Sequence, residues 1–212
     1  MKLYLALGDS ISIDEYPARE TGIPDIGAAS LFHRDLLQRH PGIAFVNLTA
    51  DGATSDDVLR DQLPRVKPTH DPAIVTITAG GNDMLMNLRA PAPPANLVEG
   101  ILARVAKIVD DVTRKLPNAI VLLGTIYDPS DGTNVLYGEK LEREAKWLAR
   151  VNHGIRALAA SRENVRLADI HRHFLGHGLT APERERWYWS GLIFEPNARG
   201  AEEVRNLWLA AL

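Results

Sequence analysis

Leu3-Tyr4-Leu5-Ala6-Leu7 runs without a break into Gly8-Asp9-Ser10. Five apolar residues closed by a glycine and two small polar residues describe a buried strand that ends in a tight turn. The apolar run is too short for the core of a secretion signal, so it reads as a first core strand. Similar runs return at Ala44 to Leu48, Ala73 to Thr78, Ile120 to Thr125 and Val165 to Ala168, which are the further strands expected. Between them, Leu97, Ile101, Val105, Ile108 and Val112 recur at steps of three and four and mark one face of a helix ending near Pro117. A second helix is expected from Lys140 to Ala160, with Leu141, Ala145, Leu148, Asn152, Ile155 and Leu158 or Ala159 turned inward, and a last one from Ala198 to Ala211. Strands alternating with helices predict an α/β fold with a parallel sheet covered on both faces.

The chain has 212 residues, 45% hydrophobic and 24% charged, which fits one soluble domain over residues 1–212. Its 24 Lys and Arg against 27 Asp and Glu leave a net charge of -3, so it lacks the basic footprint that nucleic acid demands. No run approaches the roughly 18 apolar residues of a membrane span. The absence of Cys removes disulfides and thiolate metal sites and suits a reducing cytoplasm, the expected location. Proline clusters at 64–72 and 91–94 and the segment Asp128-Pro129-Ser130-Asp131-Gly132 mark loops, none long enough to separate domains. Oligomeric state has no signature in this sequence.

Open α/β sheets bind ligands beyond the carboxyl ends of their strands. The first three strands lead there to Gly8-Asp9-Ser10, to Asp51-Gly52-Ala53-Thr54 and to Gly80-Gly81-Asn82-Asp83. Each cluster alone reads equally well as a turn or a helix cap. Taken together they suit acyl transfer, with the Ser10 hydroxyl meeting a carbonyl while the Gly52 N–H and the Asn82 side-chain amide face the oxygen that becomes negative.

With these blocks the chain resembles the SGNH, or GDSL, hydrolases. Gly8-Asp9-Ser10 is similar to the family's first block with its nucleophilic serine, Gly52 to the glycine of the second, and Gly80-Gly81-Asn82-Asp83 to the third, G-x-N-D. The resemblance runs over essentially the whole chain to Glu195-Pro196-Asn197-Ala198-Arg199-Gly200. It implies a three-layer α/β/α sandwich, flavodoxin-like, with a five-stranded parallel sheet. It also implies a serine hydrolase of esterase or lipase type that acts on small-molecule esters without cofactor or metal.

The fourth block departs from the family. Where similar members carry Asp-x-x-His before Pro-Asn, this chain has Leu192 and Glu195. Three readings stay open. Glu195 itself takes the Ser10 proton, although an ordinary glutamate, with a pKa of about 4.3, is a poor base at neutral pH unless burial raises it. Alternatively, His171, His173 or His177 supplies the base, oriented by Glu195, Asp128 or Asp131, because a triad is defined by geometry and not by order. In the third reading the fold binds a small ligand or a partner without turnover. Tyr16, Tyr127, Trp187, Tyr188 and Trp189 lie near the same loops and are candidates for a substrate wall.

Overall fold

Strand side chains alternate between two faces, so a strand that is apolar throughout must be covered twice. In β1 (Leu3–Gly8), Tyr4 and Ala6 enter one buried cluster while Leu5 and Leu7 enter another on the opposite face. The computed structural model describes residues 1–212. Its main sheet also holds β2 (Ala44–Asn47), β3 (Ala73–Thr78) and β4 (Ala119–Gly124). A short hairpin of β5 (Val135–Leu136) and β6 (Glu139–Lys140) intervenes before β7 (Val165–Ala168), the fifth strand of the sheet. The order is β2-β1-β3-β4-β7 and every pairing is parallel, with Leu3 opposite both Ala44 and Ala73.

Eight helices complete the chain: α1 (Glu15–Thr21), α2 (Ala28–Arg39), α3 (Ser55–Asp57), α4 (Gly81–Leu85), α5 (Leu97–Lys115), α6 (Glu142–Ala160), α7 (Ile170–Phe174) and α8 (Ala198–Ala211). On one face, Ile101, Val105, Ile108 and Val112 of α5 join Val151, Ile155 and Ala159 of α6 against Val75, Ile77, Val121 and Leu123. On the other, Phe32 and Leu36 of α2 meet Val204 and Trp208 of α8 over Tyr4, Ile74 and Leu122. The expected three-layer sandwich with a five-stranded parallel sheet is therefore the observed fold. No helix is long and apolar enough to cross a membrane.

Details of the reading shift. β2 and β4 begin or end one residue from the expected bounds, and α6 buries Val151, which lies outside the expected stripe, beside Asn152, which belongs to it. The segment from Ile11 to Ala28 holds α1 where only a long connection was expected. A second hairpin, β8 (Tyr188–Trp189) with β9 (Leu192–Pro196), stands outside the main sheet and leads into α8.

Candidate active site

The turn after β1 is held by contacts that leave it one conformation. Gly8 has φ +126°, and a Cβ there would lie 1.8 Å from the Thr78 carbonyl oxygen, so only glycine fits. Beyond it, the Asp9 N–H donates to Thr78 Oγ1 at 3.3 Å and the Asp9 carboxylate accepts the Ile11 N–H at 3.3 Å. The carboxylate thus caps the single helical turn Ser10–Ser12 and presents Ser10 at its start.

Ser10 is buried, and its hydroxyl donates to Glu195 Oε1 at 3.0 Å. Glu195 stands near the end of β9 and does not cap α8. That task falls to Asn197, whose Oδ1 accepts the Gly200 N–H at 2.8 Å and whose Nδ2 donates to the Arg186 carbonyl at 2.8 Å. Only 6% of Glu195 is exposed, and its second oxygen, Oε2, has no hydrogen-bond partner. Burial pushes its pKa up to about 8; the Ser10 hydrogen bond opposes this, while Asp9, Asp51 and Glu15 add to it. Asp9 is likewise raised by burial, to about 6.

Asn82, the second residue of α4, donates from Nδ2 to the Ala53 carbonyl at 3.1 Å, so the loops after β2 and β3 touch at the site. Behind that contact, Asp83 accepts the Ser55 N–H at 2.8 Å and the Ser55 hydroxyl at 2.7 Å, while Arg104 of α5 reaches Asp83 at 2.8 Å and Ser55 Oγ at 2.7 Å. Thr54 and Asp57 close a reciprocal cap on α3. Gly52 occupies the turn before them with φ +67°. Open space surrounds the position of its missing Cβ, so the turn requires glycine for its backbone angle and not for clearance.

Ser10, Asn82 and Glu195 line one pocket with a cavity volume of about 110 Å³, and Gly52 is not on its wall. The Ser10 and Gly52 N–H groups make no backbone hydrogen bond. An unpaired Ser10 N–H was not anticipated from sequence, because the signal lies in the turn geometry.

The three histidines lie elsewhere. His173 Nε2 bonds Glu203 at 2.9 Å, and His177 stacks on Trp187 at 3.6 Å with Nδ1 on the Glu185 carbonyl at 3.1 Å. His171 is held below its ordinary pKa by burial and by Arg156. None lines the pocket or bonds Ser10. Asp128 caps its own loop through Ser130 and Gly132, and Asp131 binds the backbone N–H groups of Gly176, Gly178 and Thr180. Of the five aromatic candidates only Tyr127 reaches the pocket; Trp187 and Tyr188 pack in the core against Phe174, and the Tyr16 hydroxyl donates to Asp51 at 3.0 Å beside Trp189.

The family model described as GDSL-like lipase/acylhydrolase matches residues 6–202, a span that includes every residue of this site. The chain belongs to the GDSL-like lipase/acylhydrolase family. This member is an ester hydrolase by class. Among curated proteins no sequence relative matches. Solved structures share its fold at low identity. A protein from Parabacteroides merdae described as a GDSL-like lipase has TM-score 0.74 and 19% identity, with 99% of this chain and 94% of that one covered. A phospholipase A1 from Streptomyces albidoflavus has TM-score 0.68 and 20% identity, covering 100% and 99%. An acetyl xylan esterase from Geobacillus stearothermophilus has TM-score 0.71 and 16% identity, covering 99% and 94%. At such identities the likeness speaks for the fold alone.

Proposed function

We propose that this family member hydrolyses carboxylic esters of small molecules with Ser10 as nucleophile and Glu195 as its base. The observation that supports this is the 3.0 Å hydrogen bond from Ser10 Oγ to Glu195 Oε1 inside a pocket that no histidine lines. A base works best when its pKa lies near the working pH. A pKa of about 8 brings Glu195 into that range, where an exposed glutamate would be too weak.

The reaction then runs in two halves. Glu195 in its ionised form takes the Ser10 proton as Oγ bonds to the ester carbon. The carbonyl oxygen becomes an anion held by the Asn82 side-chain amide and the Ser10 N–H, two donors whose residues border the pocket. Protonated Glu195 then gives its proton to the leaving alcohol, and acyl-Ser10 remains. Water loses a proton to Glu195, attacks the acyl carbon, and Ser10 recovers its hydroxyl as the acid departs.

The test is turnover of a chromogenic short-acyl ester by the wild-type chain and by Ser10→Ala. The substituted protein should fold with a similar thermal midpoint and show only background hydrolysis. Wild-type turnover by folded Ser10→Ala would remove Ser10 from the reaction, and no turnover by either protein would favour ligand binding without chemistry.

A further inference from the structure

The wall of the pocket is unequal. Beyond Ser10 it is built of Met84, Leu85, Leu88, Leu136, Leu141 and Leu148, drawn from α4, the turn that follows it, β5, the residue before α6 and the first half of α6. Leu136 and Leu141 are buried although the hairpin that carries Leu136 is short and its Tyr137 is exposed. Its ionisable acidic groups are Asp9, Asp128, Glu144 and Glu195, and no Lys, Arg or His lines it. Glu144 is paired with Arg143 at 2.6 Å from outside the pocket, and Asp128 is held by its own loop, so the wall presents no free cation to an anionic ligand group.

We propose that this apolar wall is an acyl-chain subsite, which makes the chain selective for neutral esters of medium-length acyl groups over acetyl esters and over esters whose acyl chain ends in an anion. The inference rests on the assignment of Ser10 and Asn82 to the reaction. Asn82 and Leu85 are three residues apart and share one side of α4, so an acyl carbon whose oxygen sits at the Asn82 amide carries its chain along Leu85 toward Leu88. Burying a methylene contributes about 0.8 kcal/mol, or about fourfold in kcat/KM, until the wall ends. An acyl chain ending in a carboxylate would be desolvated among apolar groups and carboxylates with no partner cation, which is strongly unfavourable.

The test compares kcat/KM for p-nitrophenyl acetate, butanoate, hexanoate and octanoate, for p-nitrophenyl hemisuccinate, and for acetate esters of lengthening alcohols. Two- to fourfold gains per methylene are expected in the acyl series up to at least hexanoate, none in the alcohol series, and at least a tenfold handicap for hemisuccinate against butanoate. Ala145→Trp, from the pocket wall, should abolish the gain for hexanoate over acetate; Leu88→Trp serves the same purpose if that protein does not fold. Calorimetric binding of the same esters to Ser10→Ala gives the order of affinity without turnover. A flat acyl series with active acetate hydrolysis, gains confined to the alcohol series, or a preference for hemisuccinate overturns the subsite while leaving the Ser10 assignment intact. Loss of all turnover with the acyl order retained in binding would overturn only the assigned chemistry.

Discussion

The side-chain amide of Gln62 pairs with the backbone of Gly8 as a strand would: its Oε1 accepts the Gly8 N–H at 2.8 Å and its Nε2 donates to the Gly8 carbonyl at 2.8 Å. Gln62 is buried, and it closes the end of β1 immediately before the serine. Asn152 does the same beside β4, taking the Ile126 N–H at 2.8 Å and giving to its carbonyl at 2.7 Å. In Gln62→Leu the Gly8 carbonyl keeps the Ala50 N–H at 3.1 Å, but the Gly8 N–H is stranded. The expected loss of stability is about 1 to 3 kcal/mol by urea unfolding, together with lower turnover because the serine turn loosens. Unchanged stability would show that water replaces the amide.

Glu195→Gln should lower kcat at least tenfold, about 1.4 kcal/mol of barrier. In the wild type, activity should rise with pH through a limb near pH 8, where Glu195 ionises. An activity plateau reached below pH 6 would exclude it as the base.

The same carboxyl governs stability in the opposite sense. Its folded pKa, about 8, lies above its unfolded value, so the folded chain binds more protons between about pH 4.5 and 8. Stability from this group is therefore intact at low pH and declines as pH rises through that window. Glu195→Gln, neutral throughout, should flatten the decline and be more stable than the wild type at pH 9, as thermal midpoints across the range would record. A steeper decline in the substituted protein would contradict the burial argument.

Asn82→Ala should cost about 2.7 to 4 kcal/mol of transition-state stabilisation, or on the order of 100-fold to 1,000-fold in kcat, with KM little altered. Because Asn82 also holds the Ala53 carbonyl, Asn82→Asp is the companion: it keeps size but turns the donor into an acceptor. Normal turnover by either folded protein would leave the oxyanion to the backbone groups.

His171→Ala, His173→Ala and His177→Ala should each keep turnover within about threefold. His173→Ala should lose stability, since Glu203 is buried and keeps only Arg199 and Asn206. Abolished turnover in any one, with the fold intact, would move the base away from Glu195.

The strands were legible because each is apolar and ends in turn residues, a pattern that needs no tertiary information. Helix α2 carries Ala28, Ala29, Phe32 and Leu36 at helical spacing, a readable signal that the prominence of the neighbouring polar loop obscured. The two-residue strands of the hairpins are too short to have a period at all. Glu195 was visible as a position in a motif. Its raised proton affinity was not, since that comes from burial beside Asp9 and Asp51, residues far away in the chain. Gln62 and Asn152 likewise give no sequence signal of their backbone partners, 54 and 26 positions distant.

Ser10 and Glu195 are separated by 185 positions, and β9 belongs to a hairpin that stands outside the main sheet. A ribosome therefore makes the serine turn well before it makes Glu195. The pairing of β1, β2 and β3 needs only residues that have already emerged, so this part of the sheet can form while the serine still lacks its hydrogen bond to Glu195. Nascent chains stalled before β9 would accordingly be silent toward esters, and hydrolysis would begin when that hairpin docks against the turn after β1.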